Sequence, residues 1–211
     1  MDKLHDIRAR IDQLDEQIQQ LISERARCAQ EVARLKGDAG VQLDYYRPER
    51  EAEVLRRVIA RNKGGPLPDE EVTRLFREIM SMCLALQRPM TIAYLGPAGT
   101  FTEQAALKHF GKSVRAAPAA TVDEVFREVE AGTANYGVVP VENSTEGAVT
   151  HTLDLLIGTP LSIGGEVELR VHHHLLAKGG DAASVKVIYA HQQALAQCHQ
   201  WLEVHMAGVA R

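Results

Sequence analysis

The sequence predicts an all-α N-terminal domain, residues 1–90, followed by an α/β domain with a parallel sheet, residues 91–211. Apolar residues spaced alternately by three and four run from Leu4 to Leu35, and after Pro89 short β-rich runs alternate with helical stretches. Arg88-Pro89 marks the change of pattern, because the residue before a proline is pushed out of the helical region.

The first element is an amphipathic helix whose seam is Leu4, Ile7, Ile11, Leu14, Ile18, Leu21, Arg25, Cys28, Val32 and Leu35. At about 1.5 Å per residue it is roughly 50 Å long, more than a small monomeric bundle needs, so a partner chain is expected. Gly37, Asp38 and Gly40 stop it. Pro48 suits the first turn of a second helix over residues 48–62, closed by Gly64-Gly65. In the third helix Asp69 is the expected N-cap, Val72, Phe76, Ile79, Cys83 and Leu86 form the inner stripe, and Arg88-Pro89 ends it. Strands are expected over residues 92–95, 114–116, 136–141 and 185–189, and helices opening near Phe101, Thr121, Gly147 and Gln192. Thr121 and Glu124 have capping-box spacing, and Gly111 and Gly132 sit where helix C-caps belong. There is no internal repeat, and the connection near residue 90 is too short for freely wandering domains.

Composition narrows the function. The 28 acidic and 24 basic residues leave a net charge of −4, which gives no general electrostatic case for nucleic acid or an anionic membrane. Any anion site must be local. The N-terminal run is charged and periodic without an apolar core, and no stretch approaches the ~18 apolar residues of a membrane span, so a cytoplasmic protein is expected. Cys28, Cys83 and Cys198 are odd in number and far apart, which suggests reduced thiols and no disulfide framework or CxxC metal site. His172, His173 and His174 make no metal site: on a strand the first and third share a face, the second points away, and no acidic or Cys partner has suitable spacing. Ser144 and His151 lack any nucleophile-elbow context.

Arg25 is the strongest clue in the first half. It occupies a seam position where an apolar side chain belongs, and an unpaired buried guanidinium is costly. Lys36 lies 11 residues on, about three turns, so it projects from nearly the same face. On the third helix Gln87 stands four residues after Cys83, inside the apolar stripe. One reading is a buried Arg-Glu pair that fixes coiled-coil register. The other is a pocket for a small polyanion, with Arg8, Arg25, Arg50 and Lys36 as cations whose forked guanidinium groups suit carboxylates. The coincidence of Arg, Lys and Gln favours the pocket.

IRARIDQLDEQIQQLISERARCAQEVARLK, then YRPERE, then TRLFREIMSMCLALQ, resembles the all-helical chorismate mutase family over residues 4–88. The resemblance implies that three helices from each of two chains interlock as a homodimer. It implies that Arg8 serves the partner's pocket, that Arg25 and Arg50 hold substrate carboxylates, that Lys36 and Gln87 hydrogen-bond the ether oxygen, and that Glu51 binds the ring hydroxyl. Arg47 replaces an acidic residue of that pattern, and Cys83 a serine at a substrate-binding position. The implied chemistry is an intramolecular rearrangement, aided by holding the dianion folded and stabilising charge as the C–O bond breaks. No cofactor or metal is implied.

In the second half, Gly96-Pro97-Ala98-Gly99-Thr100 joins a strand end to a helix start, where unpaired N–H groups favour anions. Thr100 and Thr102 add hydroxyls. The segment VVPVENSTEGAV, residues 138–149, is expected to be a second such junction, with Asn143, Ser144 and Thr145 before a helix opening at Gly147. Neither is a Walker loop or a dinucleotide signature, and a lone Gly-Pro turn is most often only a turn. Together YLGPAGTFTEQAALKHFG, DEVFREVEAGTANYGVVPVENSTEGAV and GEVELRVHHHLL resemble the first part of prephenate dehydratase, over residues 91 to 205. This implies that the loops, through Gly99, Thr100, Thr102, Asn143 and Ser144, bind a carboxylate of prephenate in a two-lobed, periplasmic-binding-protein-like domain. The family's Thr-Arg-Phe motif and phenylalanine-sensing ACT segment do not occur, so the expectation is a chain complete for the mutase and incomplete for the dehydratase. The rivals are a mutase whose C-terminal lobe binds prephenate or an aromatic acid without converting it, and a purely structural coiled-coil module.

Overall fold

A computed structural model describes residues 2–38, 46–144 and 147–211, the side chains of Asp2, Gly37 and Asp38 apart. Gly40 and Thr145 lie outside the described residues. The chain forms two compact units, residues 1–139 with 158–167, and residues 140–157 with 168–211.

The first unit begins with three helices. Helix α1, Asp2–Asp38, continues the expected stripe through its whole length; α2 is Pro48–Asn62 with proline in its first turn; α3 is Asp69–Ala85. Asp69 is the first helical residue and Pro68 the N-cap, and the Asp69 carboxylate instead accepts from the Asn62 amide at 2.7 Å. This bond ties the end of α2 to the start of α3. Helix α3 packs against both α1 and α2. Leu55, Val58, Ile79 and Cys83 are buried in these helices, whereas Ile7, Ile11, Ile18 and Leu21 on α1 remain 50–64% exposed. An apolar stripe of that length facing water needs a covering surface.

Strand β1, Thr91–Leu95, is followed by α4, Phe101–Phe110, β2, Arg115–Ala119, α5, Val122–Glu130, and β3, Tyr136–Val138. The sheet is parallel in the order β2-β1-β3, with Ile92 opposite both Ala116 and Tyr136. Because β1 is central, its side chains are buried on both faces. Ile92 packs with Ala106 and Phe110 of α4, while Ala93 packs with Val125 of α5. Tyr46 and Leu84 join the Ile92 cluster, so the helical segment and the sheet share one core within this unit. The capping pair is present in a shifted form: Thr121 Oγ1, at the N-cap, accepts from the Glu124 N–H at 3.2 Å, and Glu124 Oε2 accepts from the N–H of Ala120, one residue before the cap, at 2.7 Å.

In the second unit, β4, Glu142–Asn143, pairs antiparallel with β5, Gly147–Ala148. Helix α6, Thr150–Gly158, therefore opens three residues later than the sequence suggested. The cause is that Gly147, at φ +79°, is taken up in pairing with Asn143, so a helix cannot start there. The expected strand at 185–189 is also corrected. It is reduced to a single parallel bridge between Val187 and Ala210, with Ile188 donating to the Ala210 carbonyl at 2.8 Å and Ala210 donating to the Lys186 carbonyl at 3.2 Å, because the pairing reaches one residue and forms no longer ladder. The short helices α7, Gln192–Gln197, and α8, His199–His205, follow, with Leu202 and Met206 packed on Ile188. His172, His173 and His174 are exposed outside any regular element, and His173 bonds Gln197. Among the described residues no helix is long and apolar enough to cross a membrane.

Candidate functional site

The residues singled out by resemblance in the first half lie on α1, α2 and α3 or just past α3. Arg25 is half-buried near the middle of α1, Lys36 half-buried in its last turn, and Arg8 exposed near its start. Arg50 and Glu51 open α2, and Cys83 is buried on α3. Gln87 lies two residues past α3, in a turn whose N–H groups still bond back to Leu84, and is half-buried. The helix unwinds there because Pro89 forbids its continuation. The structure thus sets α1, with Arg25 and Lys36, and α2, with Arg50 and Glu51, against the helix that carries Cys83 and leads to Gln87.

Arg50 and Glu51 meet charged partners of opposite sign within the chain. Arg50 donates to Glu53 at 2.5 Å on an open surface, and this bond, with Arg57 also bound to Glu53, holds the Glu53 carboxyl below its ordinary range. An exposed pair of this kind is worth little and yields readily to an incoming carboxylate. Glu51 is more sheltered. Its Oε1 accepts from Arg77 Nε of α3 at 3.2 Å, with side-chain exposures of 16% and 26%. Tyr46, buried beside it, has its hydroxyl pushed well above the usual phenol range by burial, and then by the charge of the Glu51 carboxylate. The same hydroxyl lies 3.4 Å from His109 Nε2 on α4, and burial lowers the His109 pKa. Sequence reasoning missed Arg77, Tyr46 and His109. Arg77 lies 26 residues from Glu51 and His109 lies 63 from Tyr46, and no periodicity announces such pairings.

The dehydratase-type residues divide between the units. Thr100 is the N-cap of α4, its Oγ1 accepting from the Glu103 N–H and donating to the Leu95 carbonyl. The Gly99 N–H donates to Glu103 Oε2 at 2.5 Å, so a carboxylate of the chain itself occupies that donor. Tyr94 nearby has its pKa raised by burial first and by the Glu103 carboxylate second. Thr102 is half-buried in the first turn of α4. In the second unit Asn143 is half-buried in β4 and Ser144 exposed in the turn after it. They belong to a hairpin, which corrects the expectation that they lead directly into a helix.

The family model for prephenate dehydratase matches residues 92–211, and that for chorismate mutase type II matches residues 7–88. Curated relatives described as bifunctional chorismate mutase/prephenate dehydratase align along the chain. The Pseudomonas aeruginosa protein is 58% identical, covering 100% of this chain and 58% of its own length. The Neisseria gonorrhoeae protein is 55% identical over 95% of this chain and 54% of its own, and the Escherichia coli protein 34% identical over 93% and 55%. The chain spans a little over half the length of these relatives. A solved prephenate dehydratase from Arthrobacter aurescens, in complex with L-Phe, is 34% identical, with a TM-score of 0.44 over 57% of this chain and 41% of that one.

Proposed function

The chain belongs to the prephenate dehydratase family and carries a chorismate mutase type II segment ahead of that match, and on this premise we propose that it rearranges chorismate to prephenate and that residues 91–211 act in converting prephenate to phenylpyruvate. Residues 1–90 are the proposed mutase domain. The observation that carries the reading is the order of the two matched segments, and in keeping with it Arg25, Lys36 and Glu51 lie on packed helices within the first segment and Gln87 in the turn after α3.

In the first reaction a C–O bond breaks as a C–C bond forms within one molecule, so no nucleophile is required. Arg25 and Arg50 hold the two carboxylates, Lys36 and Gln87 donate to the ether oxygen as its charge grows, and Glu51 accepts from the ring hydroxyl. In the second reaction prephenate loses its carboxylate carbon as carbon dioxide and its hydroxide as water, the hydroxide leaving with a donated proton. In the first unit Thr100, Thr102 and the Gly99 N–H are proposed carboxylate contacts, and at Gly99 the ligand has to displace Glu103; in the second unit Asn143 and Ser144 are proposed polar contacts.

The proposed partner is a second copy of the chain. Ile7, Ile11, Ile18 and Leu21 give an exposed stripe suited to it, and Arg8 on the same helix is the residue proposed to reach the partner's pocket. Ile11→Asp places a charge in that seam and is expected to weaken the dimer by at least about tenfold. Sedimentation velocity against concentration reads the shift, and an unchanged dimer would count against the seam. The proposed setting is the cytoplasm, in keeping with three free thiols.

A coupled assay tests the function. The chain is given chorismate, and chorismate loss and phenylpyruvate are followed separately. Chorismate loss with prephenate accumulating supports the mutase alone; phenylpyruvate formed faster than prephenate decays unaided supports both activities. An undiminished chorismate signal removes the reading and leaves the coiled-coil module standing.

A further inference from the structure

Among the residues assigned to the proposed mutase pocket Glu51 is the acidic one, and its carboxylate ends a chain of three flexible side-chain torsions. For such a group to meet a ring hydroxyl, something must fix it. The structure supplies two anchors. Arg77 reaches across from α3 to Glu51 Oε1, and the pair is sheltered where the neighbouring Arg50–Glu53 pair is open to water. Tyr46, 7% exposed, lies close enough to the same carboxylate for its charge to raise the phenol pKa, and is itself pinned: its ring packs edge-on against Tyr136 at 5.4 Å and at a tilt against Phe110 at 5.5 Å, and its hydroxyl faces His109. A carboxylate has about four lone-pair directions, so these contacts leave capacity for a hydroxyl donor.

We propose that Arg77 and Tyr46 are positioning residues for chorismate turnover, holding the Glu51 carboxylate at the angle from which it accepts the substrate hydroxyl, with His109 and the aromatic cluster fixing Tyr46 in turn. The inference rests on the reading of Glu51 as the hydroxyl-binding group. Neither residue touches substrate; both act through Glu51. A hydroxyl contact is made equally in the ground and transition states, so its loss falls on KM and not on kcat.

The test is steady-state chorismate kinetics on the 211-residue chain and its Arg77→Gln, Arg77→Lys, Tyr46→Phe, Glu51→Gln and Arg77→Gln/Glu51→Gln variants. Arg77→Gln is expected to raise KM about tenfold with kcat within about twofold, the scale of a lost hydrogen bond to a charged group. Tyr46→Phe, which keeps the ring, should raise KM about threefold. Arg77→Lys should recover part of the loss. Glu51→Gln should also raise KM, and the double variant should be no worse than Glu51→Gln alone, because a positioning residue has nothing left to position. The inference is overturned if Arg77→Gln keeps the wild-type KM while Glu51→Gln does not, or if the two losses multiply. Should circular dichroism find Arg77→Gln unfolded, Tyr46→Phe decides, and a wild-type KM there overturns it. A Glu51→Gln variant with wild-type kinetics, or a wild-type chain without turnover, removes the parent reading and this one with it, and is told apart by that single measurement.

Discussion

Lys36→Ala is expected to leave the fold intact and to lower the chorismate turnover number by at least about a hundredfold, on the order of 2.7 kcal/mol of transition-state stabilisation. The fold should tolerate the change because Lys36 is half-buried in the last turn of a 37-residue helix, where alanine is an excellent helix former. The effect should fall on kcat and kcat/KM together. An ammonium group donating to the ether oxygen makes its strongest contact only when the C–O bond is stretched and the oxygen has gained charge, so removing it leaves substrate binding largely unchanged. This signature separates Lys36 from Glu51, Arg77 and Tyr46, whose losses are expected in KM. Single-turnover kinetics at saturating chorismate, with helicity checked by circular dichroism, make the measurement. A variant within about threefold of wild type would remove Lys36 from the reaction and weaken the polyanion pocket as a whole.

What the sequence disclosed follows from which forces are local. Helices α1 and α2 were legible in extent because a heptad stripe, Pro48 and the Gly64-Gly65 stop are signals within a few residues of one another. Strand β1 was legible because Ile92-Ala93-Tyr94-Leu95 is a run of hydrophobic side chains, as suits a strand buried on both faces. The hairpin at Glu142–Ala148 was misread as a helix start because polar Asn143 and Ser144 satisfy capping statistics equally well; only the pairing of Asn143 with Gly147 decides between them. Residues 185–189 show the reverse limit. Their β-rich composition is real, but a strand exists only as far as a neighbour offers hydrogen bonds, and Ala210 offers one point. In the site, the types Arg25, Lys36, Glu51 and Gln87 could be named from spacing and resemblance, whereas the Arg77–Glu51–Tyr46–His109 contacts join helices and a loop through tertiary packing that no spacing encodes.

Gly111→Ala is expected to be the most damaging small substitution in the first unit, costing about 2–5 kcal/mol. Gly111 closes α4 at φ +78° and ψ 178°, a region open almost only to glycine, and its N–H still bonds the Leu107 carbonyl at 3.0 Å. A side chain there meets a second obstacle. A Cβ on Gly111 falls 2.4 Å from Ser81 Cβ and 2.6 Å from Ser81 Oγ, on the packed face of α3. Ser81 cannot simply withdraw, because it is 5% exposed and its hydroxyl accepts the Ser113 N–H at 3.3 Å, while Glu78 one turn earlier accepts the Lys112 N–H at 3.1 Å. These bonds clamp the exit of α4 onto the helix that leads to Gln87. The clash therefore has to open the contact between α3 and α4 or strain both. Gly132→Ala is the control: it has φ +73° with no atom within 4 Å of the added carbon, so it carries the backbone cost of about 1–3 kcal/mol without the collision. Differential scanning calorimetry on both variants separates the two contributions. Gly111→Ala should lower Tm by roughly 6–12 °C for a loss near 3 kcal/mol, and Gly132→Ala by less. Equal losses in the two would mean that Ser81 yields freely, and that the close approach of α3 to the end of α4 contributes little to holding the helical segment on the sheet.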